Sequence, residues 1–321
     1  MKNKIILVAG DPNSINSEII VKSWKKLANS TKKKVFLISN FRLFKMQLKK
    51  LNYSLKILKV KDFNQTTSVN YLKIIDIKLD FKDPFNVPKS SASKYILNSL
   101  NLAHKLALDK NVSGIINCAI NKQLLNKNKI GVTEFLADKC RVKDNSEVML
   151  IHNKKLSVCP ITTHIDIKQV TKQIKSSIIS KKVKTINEWY KKTFDLTPKF
   201  GMLGLNPHNA EYRKNSEEKK ILIPTVKKLK KLKININGPL ISDTAFINDH
   251  KNYDVLLGMY HDQVLSPFKT LFKYDAINIT LGLKYLRLSP DHGTAMSLIG
   301  KNKANPESLI KNFNFIEKLK K

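Results

Sequence analysis

Short apolar runs rich in Ile, Val and Leu alternate along the chain with stretches whose apolar residues recur every three or four positions. That alternation predicts strands separated by helices. In the first half, "KIILVAG" (4–10) and "KKVFLIS" (33–39) read as buried strands with a helix from about Ser17 to Leu27 between them. "SASKYILNSLNLAHKLALDK" (91–110) places Ile96, Leu100, Ala103 and Ala107 on one helical face, with a serine available as N-cap, and leads into the strand "SGIINCAI". A helix packing back onto a strand, repeated, is the signature of an α/β fold with a mainly parallel sheet.

The second half continues the pattern with changes of detail. "EVMLI" and "LSVCPI", separated by "HNKK", read as a hairpin. "DIKQVTKQIKSSII" (166–179) reads as one amphipathic helix with Asp166 as N-cap and Ile167, Val170, Ile174 and Ile178 inward. "KFGMLGL", "YDVLLGMY" and "AINITLGL" are further strands, each running into polar residues. Open α/β sheets bind ligands where such strand ends converge. The polar run "NKNKIG" (126–131) marks a domain boundary near residue 128.

Composition narrows the class. The chain has 321 residues, 42% of them hydrophobic and 26% charged, which suits a soluble globular protein of one large or two ordinary domains. The apolar "IILVAG" stops at Asp11, too early for a secretory signal, and no run is long enough to span a membrane, so the expected location is cytoplasmic. The formal net charge of +34 raises nucleic acid as a partner. However, only Arg42, Arg141, Arg213 and Arg287 among the 59 basic residues are arginine. Base-edge and bidentate phosphate contacts favour arginine's planar fork, and few aromatics are interleaved as stacking platforms, so a general lysine bias is the preferred account. Cys118, Cys140 and Cys159 form no CxxC pair, leaving any metal to His, Asp or Glu.

Three of the seven histidines share a context: His164 ends "CPITTH", His208 follows "GMLGLNP" and His261 follows "DVLLGMY". Residue pattern alone leaves two readings open. Each is a hydrogen-bonded loop residue, or the three converge as metal ligands with positions left for substrate. Lys269, Asn278 and Arg287, with Thr280 nearby, are of the types that clamp a carboxylate or phosphate.

The motifs "GVTEFLA", "GLNPHNAE", "GPLISDTAF", "YDVLLGMYHDQ" and "AINITLGLKYLRLSPDHGTA", in order and nearly end to end, resemble the 4-hydroxythreonine-4-phosphate dehydrogenase family of vitamin B6 biosynthesis. "DHGTAMSLIGKNKANP" is similar to the adenosine-binding loop of the wider isocitrate and isopropylmalate dehydrogenase superfamily. The resemblance implies two α/β domains with a cleft between them, residues 1–128 plus 290–321 on the cofactor side and 129–289 carrying metal, substrate and dimer contacts. It implies a divalent metal (zinc, magnesium or cobalt) on His164, His208 and His261, with ligands drawn from both subunits of a homodimer. Thr133, Lys269, Asn278 and Arg287 fall on substrate positions, and His292, Gly293, Thr294 and Asn305 near the adenine half of NAD or NADP. Asp243 and Asp262 become candidates for orienting a ligand or moving a proton. The implied reaction oxidises 4-phosphohydroxy-L-threonine to 2-amino-3-oxo-4-(phosphooxy)butanoate, which decarboxylates to 3-amino-2-oxopropyl phosphate. No GxGxxG fingerprint is present, as this superfamily's cofactor site requires none.

Three departures stand out. The family's glycine-rich opening, close to GDPxGIGPE, is "GDPNSINSE", with Ser14, Asn16 and Ser17 replacing two glycines and a proline. Val132 replaces a histidine ahead of Thr133, and "NAEYRKNSEE" lacks the glycines usual after "NPH". The rival expectations are a paralogue acting on another 4-phosphorylated hydroxy acid such as threonate or erythronate phosphate, a lysine-rich nucleic-acid-binding protein, and a metal-free inactive relative.

Overall fold

The computed structural model describes residues 4–63, 65, 68–125, 131–142 and 146–319. In chain order it begins β1 (Lys4–Val8), α1 (Asn16–Lys26), α2 (Asn29–Lys32), β2 (Val35–Ser39), α3 (Phe41–Lys50), β3 (Ile57–Val60), β4 (Leu72–Asp76), α4 (Lys89–Ala107), β5 (Val112–Asn117) and α5 (Val132–Lys139). Next come β6 (Val148–His152), β7 (Ser157–Pro160), α6 (Ile167–Gln173), α7 (Ser176–Phe194), β8 (Phe200–Leu203), α8 (Ile223–Lys231) and β9 (Ile236–Leu240). The rest is α9 (Ser242–Thr244), β10 (Val255–Gly258), α10 (His261–Phe272), β11 (Ile277–Leu281), β12 (Arg287–Pro290) and α11 (Glu307–Lys318).

Two compact units result, residues 1–140 with 283–321, and residues 141–282. In the first, the strand order is β3-β4-β2-β1-β5-β12 and every pairing is parallel. Such a sheet is covered on both faces, so its strands are continuous apolar runs rather than alternating ones. Ile5, Ile6, Leu7 and Val8 of β1 are accordingly all buried. The stripe Ile96, Leu100, Ala103 and Ala107 of α4 is buried as its spacing predicts, and burying a side chain such as Leu100 contributes about 1.5–3 kcal/mol. Pro88, not a serine, occupies the N-cap of α4, and its carbonyl accepts from the Ala92 N–H at 2.9 Å.

In the second unit the order is β11-β6-β7-β10-β8-β9. β11 with β6 and β6 with β7 are antiparallel, and β7, β10, β8 and β9 run parallel. The expected hairpin is β6–β7, with His152 opposite Ser157, closed by the Asn153 N–H donating to the Leu156 carbonyl at 3.0 Å. The single helix expected over 166–179 is two. Ile174 takes an extended ψ of 111° between α6 and α7 and is 2% exposed, so the core draws it in at the cost of a helical turn. Ile167 is left 67% exposed, and the buried stripe of α7 is Ile179, Val183 and Ile186.

The boundary expected near residue 128 falls among 126–130, outside the described residues. The compact units change over at 140/141 and 282/283. Thr133 and Arg287 therefore belong to the first unit: Phe135 and Leu136 of α5 join the cluster around Tyr95, Ile96 and Leu100, and Arg287 is paired through β12 with β5. Among the described residues, no helix is long and apolar enough to cross a membrane.

His152 is held inside an aromatic cluster. Its ring stacks on Phe194 at 5.6 Å, its Nδ1 lies 2.8 Å from Ser157 Oγ, and that hydroxyl lies 2.7 Å from the Tyr190 hydroxyl. Burial pushes the imidazole down from 6.5 to about 4. The unfolded chain then takes up a proton that the folded chain refuses, so this group's contribution is complete above about pH 6.5 and is lost as pH falls toward 4. Urea midpoints measured across that window will fall with pH in the native chain and less steeply in His152→Phe; parallel slopes would contradict this account.

Candidate active site

The parallel register of the second unit decides which loops meet. Ser157 and Phe200 both stand opposite Val255, and Pro160 stands opposite Gly258, so β7, β10 and β8 deliver their following residues at one edge. The β7/β10 ladder extends past the strands, with Ile161 N–H donating to the Gly258 carbonyl at 2.7 Å and Thr162 N–H to the Met259 carbonyl at 3.2 Å. The Thr162 hydroxyl donates to the same Met259 carbonyl at 2.7 Å. His164 and His261 are thereby brought side by side, ring centroids 5.5 Å apart. His261 opens α10, and its Nδ1 lies 2.7 Å from Asp262 Oδ1. A carboxylate on Nδ1–H leaves the lone pair on Nε2, the tautomer a metal ligand needs.

His208 follows β8 on an exposed turn. It begins a left-handed run, with φ of 49° at His208, 55° at Asn209, 52° at Ala210, 42° at Glu211 and 55° at Tyr212. Left-handed backbone costs an ordinary residue about 1–2 kcal/mol, so the turn needs external support. Buried Glu218 accepts from the Leu205 N–H at 2.9 Å and the Asn206 N–H at 2.8 Å. Burial would raise this carboxyl, but these bonds and the Asn206 side chain hold it below the ordinary value. Asn209 donates to the Pro239 carbonyl at 3.1 Å, and a Cβ on Gly204 would lie 1.9 Å from Asn209 Oδ1, so a larger residue at 204 would displace the Asn209 side chain. The glycines missing from "NAEYRKNSEE" are thus replaced by a scaffold of carboxylate and amide bonds. His208 does not join the other two histidines: among the described residues, no three His, Cys, Asp or Glu side chains gather as a metal site.

Gln263, two residues past His261, ties these loops together. Its Oε1 accepts from the Met259 N–H at 2.6 Å, and its Nε2 donates to the Gly204 carbonyl at 2.6 Å and to Ser242 Oγ at 3.0 Å. Neither Gln263 nor Glu218 was singled out by pattern, because a lone Gln or Glu in a polar loop carries no spacing signal. Asp243, on α9, and Lys269, on α10, are exposed. Asn278 is half-buried on β11, opposite Ile151.

In the first unit, Arg287 is at the start of β12 and 3% exposed. Its Nε donates to Asn117 Oδ1 at 2.7 Å and its Nη1 to Thr133 Oγ1 at 3.3 Å. Burial pushes the guanidinium down to about 10, opposed by the nearby Glu134 carboxylate, so it remains a cation at neutral pH. Val132, just ahead of Thr133, packs against the apolar cluster under α4.

The loop carrying the expected cofactor residues is anchored from α1. The Thr294 carbonyl accepts from the Ile15 N–H at 3.2 Å. Buried Glu18 accepts from the Ala304 N–H at 2.8 Å and from Lys22 at 2.7 Å, and Lys22 donates to the Ala304 carbonyl at 3.0 Å. His292 Nδ1 meets the Gly293 carbonyl at 2.9 Å, and Asn305 Oδ1 accepts from the Glu307 N–H at 2.9 Å. The opening turn is built with side chains where glycines were expected: Ser14 Oγ donates to the Asp11 carbonyl at 2.6 Å and accepts from the Asn16 N–H at 3.1 Å, and the Asn16 amide donates to the Ala119 carbonyl at 2.8 Å. Within this turn only Gly10 has positive φ, 77°, and a Cβ there would lie 2.5 Å from the Ala119 carbonyl oxygen.

Residues 31–316 match the model of the family described as "Pyridoxal phosphate biosynthetic protein PdxA". A protein of Sulfurihydrogenibium sp. (strain YO3AOP1) named 4-hydroxythreonine-4-phosphate dehydrogenase is 36% identical over 314 residues, covering 96% of this chain and 95% of that protein. The crystal structure of a 4-hydroxythreonine-4-phosphate dehydrogenase from Klebsiella pneumoniae superposes with TM-score 0.84 at 28% identity, covering 99% of this chain and 98% of that one. An isocitrate dehydrogenase from Methylococcus capsulatus shares the fold, with TM-score 0.51 at 11% identity, covering 99% of this chain and 88% of that one. The chain adopts the α/β fold of the isocitrate dehydrogenase class and belongs to the family of pyridoxal phosphate biosynthetic proteins PdxA.

Proposed function

We propose that this chain is a cytoplasmic, homodimeric, metal-dependent dehydrogenase of pyridoxine 5'-phosphate biosynthesis. It oxidises 4-phosphohydroxy-L-threonine with NAD or NADP, giving 2-amino-3-oxo-4-(phosphooxy)butanoate, which decarboxylates to 3-amino-2-oxopropyl phosphate. The observation that carries the reading is the pair of imidazoles at the β7 and β10 ends, His164 and His261, with Asp262 on the Nδ1 of His261. Two adjacent imidazoles suit zinc, cobalt or, less tightly, magnesium. Among the described residues His208 does not gather with this pair into a three-ligand site, so the triad is completed between two copies, the arrangement the family resemblance implies. A divalent ion bound there would act as a Lewis acid on the substrate's hydroxyl, and the nicotinamide would take the hydride.

The remaining roles belong to this chain's own groups. Asp262 fixes the His261 tautomer, and Gln263 holds the two strand-end loops at their spacing. Arg287 and Thr133 bind the anionic end of the substrate, the buried guanidinium acting where water screens it little. Lys269 and Asn278 contact its polar groups, and Asp243 assists in orienting a ligand or moving a proton. His292, Gly293, Thr294 and Asn305 receive the adenine half of the dinucleotide on a loop that Ile15 and Glu18 hold in place. A second reading, oxidation of another 4-phosphorylated hydroxy acid such as a threonate phosphate, is favoured by one observation. Val132 packs a half-buried apolar side chain against the core cluster where the family carries a histidine able to hydrogen-bond.

His261→Ala will retain its circular dichroism spectrum, lose bound metal and lower NAD(P) reduction at least about a hundredfold; unchanged activity at full metal content would refute the site. Val132→His will lower the KM for 4-phosphohydroxy-L-threonine by about tenfold, the worth of one added charge-assisted hydrogen bond, with the cofactor KM unmoved. Identical kinetics would show that position 132 takes no part in binding.

A further inference from the structure

Arg287 is 3% exposed and Asn117 2% exposed, so both ends of their 2.7 Å hydrogen bond are removed from solvent. The contact follows from sheet geometry. Arg287 of β12 stands opposite Ile115 of β5 in parallel register, and side chains two apart on a strand share a face. Asn117 therefore lies diagonally ahead of Arg287 on one face, at the last position of β5. Its amide orientation is settled from both sides: Nδ2 donates to the Cys118 carbonyl at 3.2 Å, leaving Oδ1 to accept from the arginine Nε. The opposite end of the guanidinium reaches Thr133 Oγ1 through Nη1 at 3.3 Å.

We infer that Asn117 is the positioning residue for Arg287: by gripping Nε with a neutral acceptor, it fixes the plane of the guanidinium and directs its forked end toward Thr133 and the substrate's anionic group. This rests on the reading above that Arg287 binds that group. A neutral amide suits the task. A carboxylate at 117 would hold the same nitrogen but cancel the charge the substrate needs, and an apolar side chain would take away the acceptor that meets Nε and sets the plane. A planar fork binds an oxyanion strongly only when its plane is set, so loss of alignment shows in substrate binding first.

The test compares Asn117→Leu, Asn117→Asp and Arg287→Lys in the full-length protein, with KM for 4-phosphohydroxy-L-threonine, KM for NAD(P) and melting temperature all measured. Asn117→Leu and Asn117→Asp are each expected to raise the substrate KM by about tenfold or more, the loss expected for one misaligned or neutralised charge-assisted hydrogen bond, with cofactor KM within about twofold of native. Arg287→Lys is expected to raise it at least as much, because a point charge does not replace the fork. A raised substrate KM in Arg287→Lys with native values in either Asn117 variant overturns the positioning role alone. Native substrate KM in Arg287→Lys overturns the reading beneath it, and the proposal with it. Equal rises in substrate and cofactor KM in the Asn117 variants would mean a structural role only and also overturn it. If Asn117→Leu does not fold, Asn117→Ala, which also removes the acceptor, decides on the same criteria.

Discussion

β10 runs between β7 and β8, parallel to both, with Val255 opposite Ser157 on one side and Phe200 on the other. Parallel strands in one register must end at one edge, so the residues after Pro160, Leu203 and Gly258 share that edge whatever their loops do in detail. His164 and His261 meet because hydrogen bonds from Ile161 and Thr162 carry the β7/β10 ladder two residues beyond the strands. Gln263 then bonds one loop to the next, through Met259, Gly204 and Ser242. The meeting of these residues at one edge is thus a consequence of strand pairing, with the side chains of the loops adjusting distances.

The same logic places the buried arginine of the first unit. Parallel pairing of β12 with β5 sets Arg287 beside Asn117, and the packing of α5 under α4 carries Thr133 to the guanidinium. A buried cation is costly unless it is hydrogen-bonded. Here an amide and a hydroxyl meet it, and Glu134 offsets part of the burial. The guanidinium is thus held by the fold itself.

Strand and helix identities were legible because apolar periodicity is physically tied to burial, as the α4 stripe from Ile96 to Ala107 shows. The three histidines were legible as candidates because each follows an apolar run. What periodicity could not carry was tertiary choice. Ile174 leaves helical geometry to enter the core, and α5 and β12 take their unit from packing partners remote in sequence. Glu218 and Gln263 act through bonds to backbone groups, which no spacing rule encodes. The opening turn differs again: Ser14 and Asn16 supply side-chain hydrogen bonds in place of glycine's backbone freedom, so a lost motif did not mean a lost structure.

The most direct measurement of the central claim is NAD(P) reduction by the purified protein with 4-phosphohydroxy-L-threonine and with threonate 4-phosphate, before chelation, after it, and after adding back a divalent metal. Phosphohydroxythreonine will be turned over, chelation will abolish that turnover and added metal will restore it. Turnover indifferent to chelation, or none with that substrate under any metal, would contradict the claim.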